Sequence, residues 1–146
     1  MRKRVKHGIV LFVIVILAAQ LVRPARANPP TNPDRTLRAA MGTSSDLPAV
    51  VARACGDCHS NETEWSWFTR VAPLSWLMAR SVADGRRALN FSEWTGYTPE
   101  VQRALLAASC ADASSGKMPG PYTIFRSATK LSSRDVEVIC AAARGR

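Results

Sequence analysis

The apolar and polar positions of this chain fall into three regimes. The first is a single apolar run. Gly8 to Val22 carries no polar side chain except Gln20, and Arg23 and Pro24 end it. Four basic residues, Arg2, Lys3, Arg4 and Lys6, stand before the run. At ~15 residues it is shorter than the ~20 that usually span hydrocarbon, yet within reach of a short tilted span. Ala25-Arg26-Ala27 places small residues at the −3 and −1 positions of a cleavage site. A secretory signal peptide and a retained anchor therefore both fit residues 1–27. In either case the basic head stays cytoplasmic and the rest is exported.

The second regime is polar. Pro29, Pro30 and Pro33 lie among Asn, Thr and Asp, and Met41-Gly42-Thr43-Ser44-Ser45 continues the turn-prone character. Residues 28–45 read as a Pro-rich linker, extended and without regular structure.

From residue 46 onward helical spacing takes over. Ser45 or Asp46 suits an N-cap and Pro48 a first turn, with Leu47, Val50, Val51 and Ala54 on one face. This helix runs straight into Cys55. Asn61 to Phe68 is aromatic without a period and reads as an ordered loop. Pro73 opens a second helix, with Leu74, Leu77, Met78 and Val82 as its stripe and Gly85 as its stop. Arg86 and Arg87 read as solvated surface, and Leu89, Phe91 and Trp94 anchor a turn-rich stretch. Thr98-Pro99-Glu100 starts a third helix, with Val101, Leu105 and Ala108 inward, which fades near Ser114-Ser115-Gly116. Ser132-Ser133-Arg134-Asp135 resembles a capping box with Asp in place of Glu or Gln. It opens a last helix with Val136, Ile139, Cys140 and Ala143 inward. No segment alternates as a strand does. The fold expected for residues 46–146 is all-α.

Length and charge narrow the picture a little. The chain has 146 residues, room for one modest domain. Its net charge is +9, but residues 1–27 hold six of the 20 Lys and Arg and none of the 11 Asp and Glu. The remainder carries 14 basic against 11 acidic residues, a net of +3, with no basic run interleaved with aromatics. No nucleic acid partner is expected.

The most specific chemistry lies at Cys55-Gly56-Asp57-Cys58-His59. Two cysteines three apart, with histidine directly after the second, form the attachment signature of c-type haem. At this spacing both thiols reach the two vinyl groups of one porphyrin, and His59 can give its imidazole to the iron as proximal ligand. The fold expectation becomes a cytochrome c-like helical domain around one covalent haem c, which adds apolar surface to a marginally small core. Trp65, Trp67 and Phe68 suit a loop over the haem and ordinary core equally. Arg86 or Arg87 could meet a propionate.

Gly116-Lys117-Met118-Pro119-Gly120-Pro121-Tyr122 presents a methionine in a stiff loop. Its thioether suits the sixth, distal iron position; the alternative is a core filler. Met1 lies in the leader, Met41 in the linker and Met78 on an apolar stripe, and His7, the other histidine, is in the leader. Cys110 and Cys140 remain. Export makes a disulfide between them available, and it would bracket the Met118 loop; two separate buried thiols are the alternative.

These residues carry a resemblance. The segments Cys55-Gly56-Asp57-Cys58-His59-Ser60-Asn61 with following aromatics, Ala72-Pro73-Leu74-Ser75-Trp76, Leu89-Asn90-Phe91-Ser92-Glu93-Trp94 and Gly116-Lys117-Met118-Pro119 with Tyr122 resemble the small bacterial haem-binding domain family related to cytochrome c. Gln20-Leu21-Val22-Arg23-Pro24 and Asn28-Pro29-Pro30 resemble its membrane-proximal part, so the likeness covers residues 20–143. It implies that Cys55 and Cys58 link haem, that His59 is proximal and Met118 distal, and it leans toward a retained anchor. Ala25-Arg26-Ala27 and the Cys110/Cys140 pair depart from it.

The function expected is an exported mono-haem cytochrome, an electron carrier rather than an enzyme. It would sit on the periplasmic side of the cytoplasmic membrane, anchored by residues 8–22 or released after cleavage near Ala27. Redox proteins of the membrane or periplasm would be its partners, and c-type haem maturation machinery would load it. A haem-based gas or redox sensor, or a peroxidase-like protein with a displaceable sixth ligand, is the alternative. A thiol–disulfide oxidoreductase is disfavoured, because its Cys-x-x-Cys normally opens a helix after a strand. A zinc site is disfavoured by the adjacency of Cys58 and His59.

Overall fold

The computed structural model describes residues 2–42 and 45–145; Thr43 and Ser44 of the expected polar turn lie outside them. Helix α1 (Arg2–Ala19) takes in the basic head as well as the apolar run. Ile9 through Val15 stand 47–65% exposed, so this part of the helix shows apolar side chains on all sides. Among the described residues no helix is long and apolar enough to cross a membrane.

The Pro-rich segment differs from an extended tether. Asn32 caps a 3-10 turn at Pro33–Arg35, and the Thr36 hydroxyl accepts the Ala39 N–H to cap α2 (Leu37–Met41). Leu37 is 2% exposed and belongs to the core with Leu47, Val51, Phe91 and Trp94. One large buried side chain, two polar caps and an Arg35–Glu93 ion pair at 3.0 Å fix this segment on the domain.

Helix α3 (Leu47–Ala54) begins as its Pro48 and apolar spacing predict, with Leu47, Val50, Val51 and Ala54 buried. The Asp46 side chain makes no cap bond; Ser45 Oγ accepts the Leu47 N–H at 3.2 Å. Cys55 closes α3 and opens a further helical turn, α4 (Gly56–His59). The Cys-x-x-Cys-His motif is thus a turn of its own rather than the last turn of the preceding helix.

A 3-10 turn at Trp67–Arg70 leads into α5 (Leu74–Ala88). Gly85 does not stop this helix, which runs on to Ala88. Its inward stripe is Ser75, Met78, Val82 and Gly85, whereas Leu77 is exposed. After a 3-10 segment at Phe91–Gly96 comes α6 (Pro99–Ser114), capped by the Thr98 hydroxyl. Here the buried face is turned from the expected one: Leu106 and Ala113 are buried, while Val101 and Ala108 are exposed. Helix α7 (Ser133–Ala143) opens with the complete capping box of Ser132 and Asp135, and buries Ile139 and Cys140.

The helices α6 and α7 pack together, α3 packs on α7, and α4 lies between α3 and α5. No strand occurs among the described residues. Cys110 of α6 is bonded to Cys140 of α7, with Cα atoms 4.8 Å apart, across a sequence separation of 30.

Candidate functional site

The motif turn is held from its own backbone first. The Cys55 carbonyl accepts the N–H groups of Cys58 at 3.1 Å and His59 at 2.9 Å. Positions three apart on such a turn are neighbours, and Cys55 and Cys58 are both unpaired. Burial, then the neighbouring Cys58, pushes the Cys55 thiol up to about 11. Burial, then Asp57, pushes Cys58 up to about 11, with Arg86 opposing. Thiols held this far up are poor nucleophiles at neutral pH, the opposite of a disulfide oxidoreductase. The Cys110–Cys140 bond also takes both remaining cysteines out of any zinc set.

Helix α5 reaches the motif only because residue 85 is glycine. A Cβ there would lie 3.0 Å from the Cys58 carbonyl carbon and 3.2 Å from its Cβ. Backbone cannot move aside as a flexible side chain can, so the close helix-to-turn approach excludes larger residues.

His59 is oriented from the far side. Its Nδ1 lies 3.1 Å from the Leu89 carbonyl, and its ring stands edge-on to Phe91 with centroids 6.5 Å apart. A carbonyl only accepts, so the Nδ1–H donates and Nε2 keeps its lone pair for a metal. The next residues knit the motif to the stretch after Leu89. The Asn61 N–H donates to Ser92 Oγ at 2.9 Å, and Asn90 Nδ2 donates to Asn61 Oδ1 at 2.8 Å. Asn61 Nδ2 also donates to the Pro30 carbonyl at 3.2 Å. Ser60-Asn61 and Asn90-Phe91-Ser92 are therefore two halves of one polar joint.

Two residues matter that sequence reasoning missed or misplaced. Asp57, between the cysteines, is a hub. Its Oδ1 accepts the Glu64 N–H at 2.8 Å, and its Oδ2 accepts the Tyr122 hydroxyl at 2.9 Å and faces Arg126 at 3.3 Å. Arg126 also pairs with Glu64 at 2.7 Å. Burial, with Asp57 beside it, pushes the Tyr122 hydroxyl above the usual tyrosine range. Arg86, expected as solvated surface, instead donates to the Ser60 carbonyl at 2.7 Å and to Thr63 Oγ1 at 2.8 Å. No spacing rule marks either position. Arg87 pairs with Asp84 at the surface, as a solvated arginine does.

The aromatics divide. Phe68 is buried and stacks on Phe125 with centroids 5.3 Å apart, with Tyr122 at 6.5 Å, whereas Trp67 is exposed. Met78 is 6% exposed and is core; Met118 is 45% exposed on its loop and fills no core gap. The Met118 N–H donates to the Asp112 carbonyl at 3.2 Å. Met118 is joined to the motif indirectly, through Tyr122 and Asp57. A cleft of about 650 Å3 runs between residues 31–39 and α3, and Gly56, Asp57 and Arg126 line it. Cys55, Cys58, His59 and Met118 do not line it, so the cleft is not where these candidate haem-binding residues meet.

The donor set fits a covalently held haem. It offers two unpaired thiols on one helical turn, an imidazole with Nε2 free, an exposed thioether, and a Phe68–Phe125 stack beside Tyr122. A family described as a haem-binding domain matches the chain over residues 14–144. No curated protein and no solved structure matches it.

Proposed function

Because this chain belongs to the haem-binding domain family, we propose that it is a mono-haem c-type cytochrome that passes single electrons. One observation carries the reading: both unpaired thiols share a turn with an imidazole whose Nδ1 is tied to the Leu89 carbonyl. Cys55 and Cys58 would hold the haem by two thioether links, each an S–H added across a vinyl group. His59 would hold the iron through Nε2, and Met118 would supply a thioether as a further ligand. When bound, haem supplies the one-electron couple. Asp57, Gly85 and Arg86 hold the turn so that its ligands need not move as charge changes.

The same reading places the domain on the exported side of the membrane, where disulfides such as Cys110–Cys140 persist. Maturation machinery would load the haem c there, and redox proteins of the membrane or periplasm would exchange electrons with it.

The test is expression with a c-type haem maturation system. The reduced protein should show a covalent c-type α-band, and its haem should resist acid acetone. Cys55→Ala with Cys58→Ala should make haem extractable, and His59→Ala should abolish stable holoprotein. Haem that stays covalent in the double cysteine variant defeats the assignment. The exposure of Met118, 45%, favours one second reading, a sensor or peroxidase-like protein with a displaceable sixth ligand. Immediate carbon monoxide binding by the reduced wild type would favour that reading over the carrier.

A further inference from the structure

Residues 20–28 are bonded into the folded domain. Gln20 Oε1 accepts the Ala72 N–H at 3.0 Å, and its Nε2 donates to the Ala72 carbonyl at 3.4 Å. The Trp76 indole N–H donates to the Val22 carbonyl at 2.8 Å. Arg26 donates to the Thr69 carbonyl at 3.2 Å, and Arg86 to the Ala27 carbonyl at 3.1 Å. Asn28 donates to the Thr63 carbonyl at 2.9 Å and accepts from Arg86 at 2.8 Å. Cleavage after Ala27 would strip the partners of Ala72, Trp76 and Thr69 at once. Ala72 is buried in the intact chain, where Gln20 sits directly on its backbone, so cleavage would also uncover it. The family match also begins at residue 14, upstream of that bond.

The surface at the foot of α1 has a matching chemistry. Leu21, Val22, Val71 and Trp76 are all exposed there. Arg23, Arg26 and Arg70 line one shallow groove beside them with Gln20 and Ala72. Above the foot, α1 exposes apolar side chains all round, which suits lipid rather than water. Trp at headgroup level and basic residues facing anionic lipid are the usual interfacial groups.

We propose that residues 20–28 are a rigid clamp, kept in the mature protein, that seats this foot on an anionic lipid surface. The inference rests on the membrane-side placement proposed above. It adds an orientation: Arg86 bonds both Ala27 and Ser60, next to His59, so one side chain fixes the iron ligand relative to the lipid.

The experiment uses full-chain holoprotein in vesicles of phosphatidylcholine with phosphatidylglycerol. Native cysteines are occupied by haem and by the Cys110–Cys140 bond, so a nitroxide can be placed at Val71→Cys, with Ala104→Cys on the exposed side of α6 as control. The Val71 label should be open to oxygen and shielded from a water-soluble nickel chelate; the Ala104 label should be the reverse. Pure phosphatidylcholine, or high salt, should raise nickel access at Val71; no change removes the role of the arginines. In detergent, trypsin should spare Arg26–Ala27 while cutting Arg144–Gly145, and Gln20→Ala with Trp76→Phe should speed the Arg26 cut by about tenfold. Recovery of a chain beginning at Asn28, or Arg26 cut as fast as Arg144 in the wild type, overturns the clamp. Full-length protein that never associates with membranes defeats the placement itself. Membrane-bound protein with a water-exposed Val71 label defeats the foot alone.

Discussion

Asp57 should couple the haem turn to the loop that carries Met118, and the structure sets the size of that coupling. Asp57→Ala removes the acceptor for the Tyr122 hydroxyl and for the Glu64 N–H, and one carboxylate facing Arg126. The Asp57 side chain is 11% exposed and that of Arg126 24%. Hydrogen bonds to a charged group contribute ~1.5–3 kcal/mol each when sheltered. Arg126 keeps Glu64, but Glu64 is largely exposed, so that pair is discounted to well under 1 kcal/mol. Asp57→Ala should therefore cost ~2–4 kcal/mol and Tyr122→Phe ~1–2 kcal/mol. The double variant should cost less than the sum by about 1 kcal/mol, since both remove the same bond.

The assay is urea unfolding of the holoprotein, followed by far-ultraviolet circular dichroism. A pH series adds a sign. The Tyr122 hydroxyl lies higher in the folded protein than in the unfolded chain, so the folded state binds more protons once pH passes the ordinary tyrosine range. Its contribution is complete below that range and is lost as pH rises through it. Tyr122→Phe should flatten that fall. Strict additivity of the two substitutions, or an unchanged alkaline slope, would refute the coupling.

Three further outcomes follow from the geometry. Gly85→Ala drives a methyl group into the Cys58 backbone; overpacking costs ~1–3 kcal/mol, and the yield of covalent haem should fall with stability, whereas an unchanged melting temperature and yield would mean α5 can shift freely. Met118→Ala should abolish the methionine-to-iron charge-transfer band of the oxidised protein and admit cyanide; Met78→Ala, a buried site, should cost ~2–5 kcal/mol and leave the band intact. Cys110→Ser with Cys140→Ser opens the ring across the Met118 loop and should cost roughly 3–4 kcal/mol, with a lower potential but no haem release; a band and carbon monoxide response like the wild type would make the disulfide structural only.

What could be read in the chain was whatever local chemistry dictates. The Cys-x-x-Cys-His run forms one helical turn, and the Thr98 and Ser132/Asp135 caps arise from a side chain meeting the amides of its own turn. The joints that lie far apart in sequence were not legible. Pro29, Pro30 and Pro33 suggest an irregular tether, and composition gives no hint that a 3-10 turn and a short helix form there, that Asn61 reaches the Pro30 carbonyl or that Leu37 enters the core. Gly85 looks the same whether it ends a helix or lets one approach a backbone. On α6 the many alanines blur the apolar face, so Leu106 rather than Val101 turns inward. Asp57 and Arg86 were opaque for a different reason: a spacer residue and a surface-type arginine acquire their roles only from the partners the fold brings to them.

Those two residues also explain how a single helical turn can hold two thiols and an imidazole in place. A turn as short as α4 has too few internal bonds to hold its own shape, and its two thiols and one imidazole must agree in direction. Here it is gripped from opposite ends. Arg86 and the Asn61–Asn90–Ser92 joint fix the exit beside His59. Asp57 fixes the middle and hands the constraint through Tyr122 to the loop that carries Met118. The grip at the exit continues through Arg86 into residues 27 and 28, and from there into α1. Loss of either grip should show differently: at the exit as disordered proximal ligation and a loosened clamp, in the middle as a loosened sixth ligand with the proximal side intact.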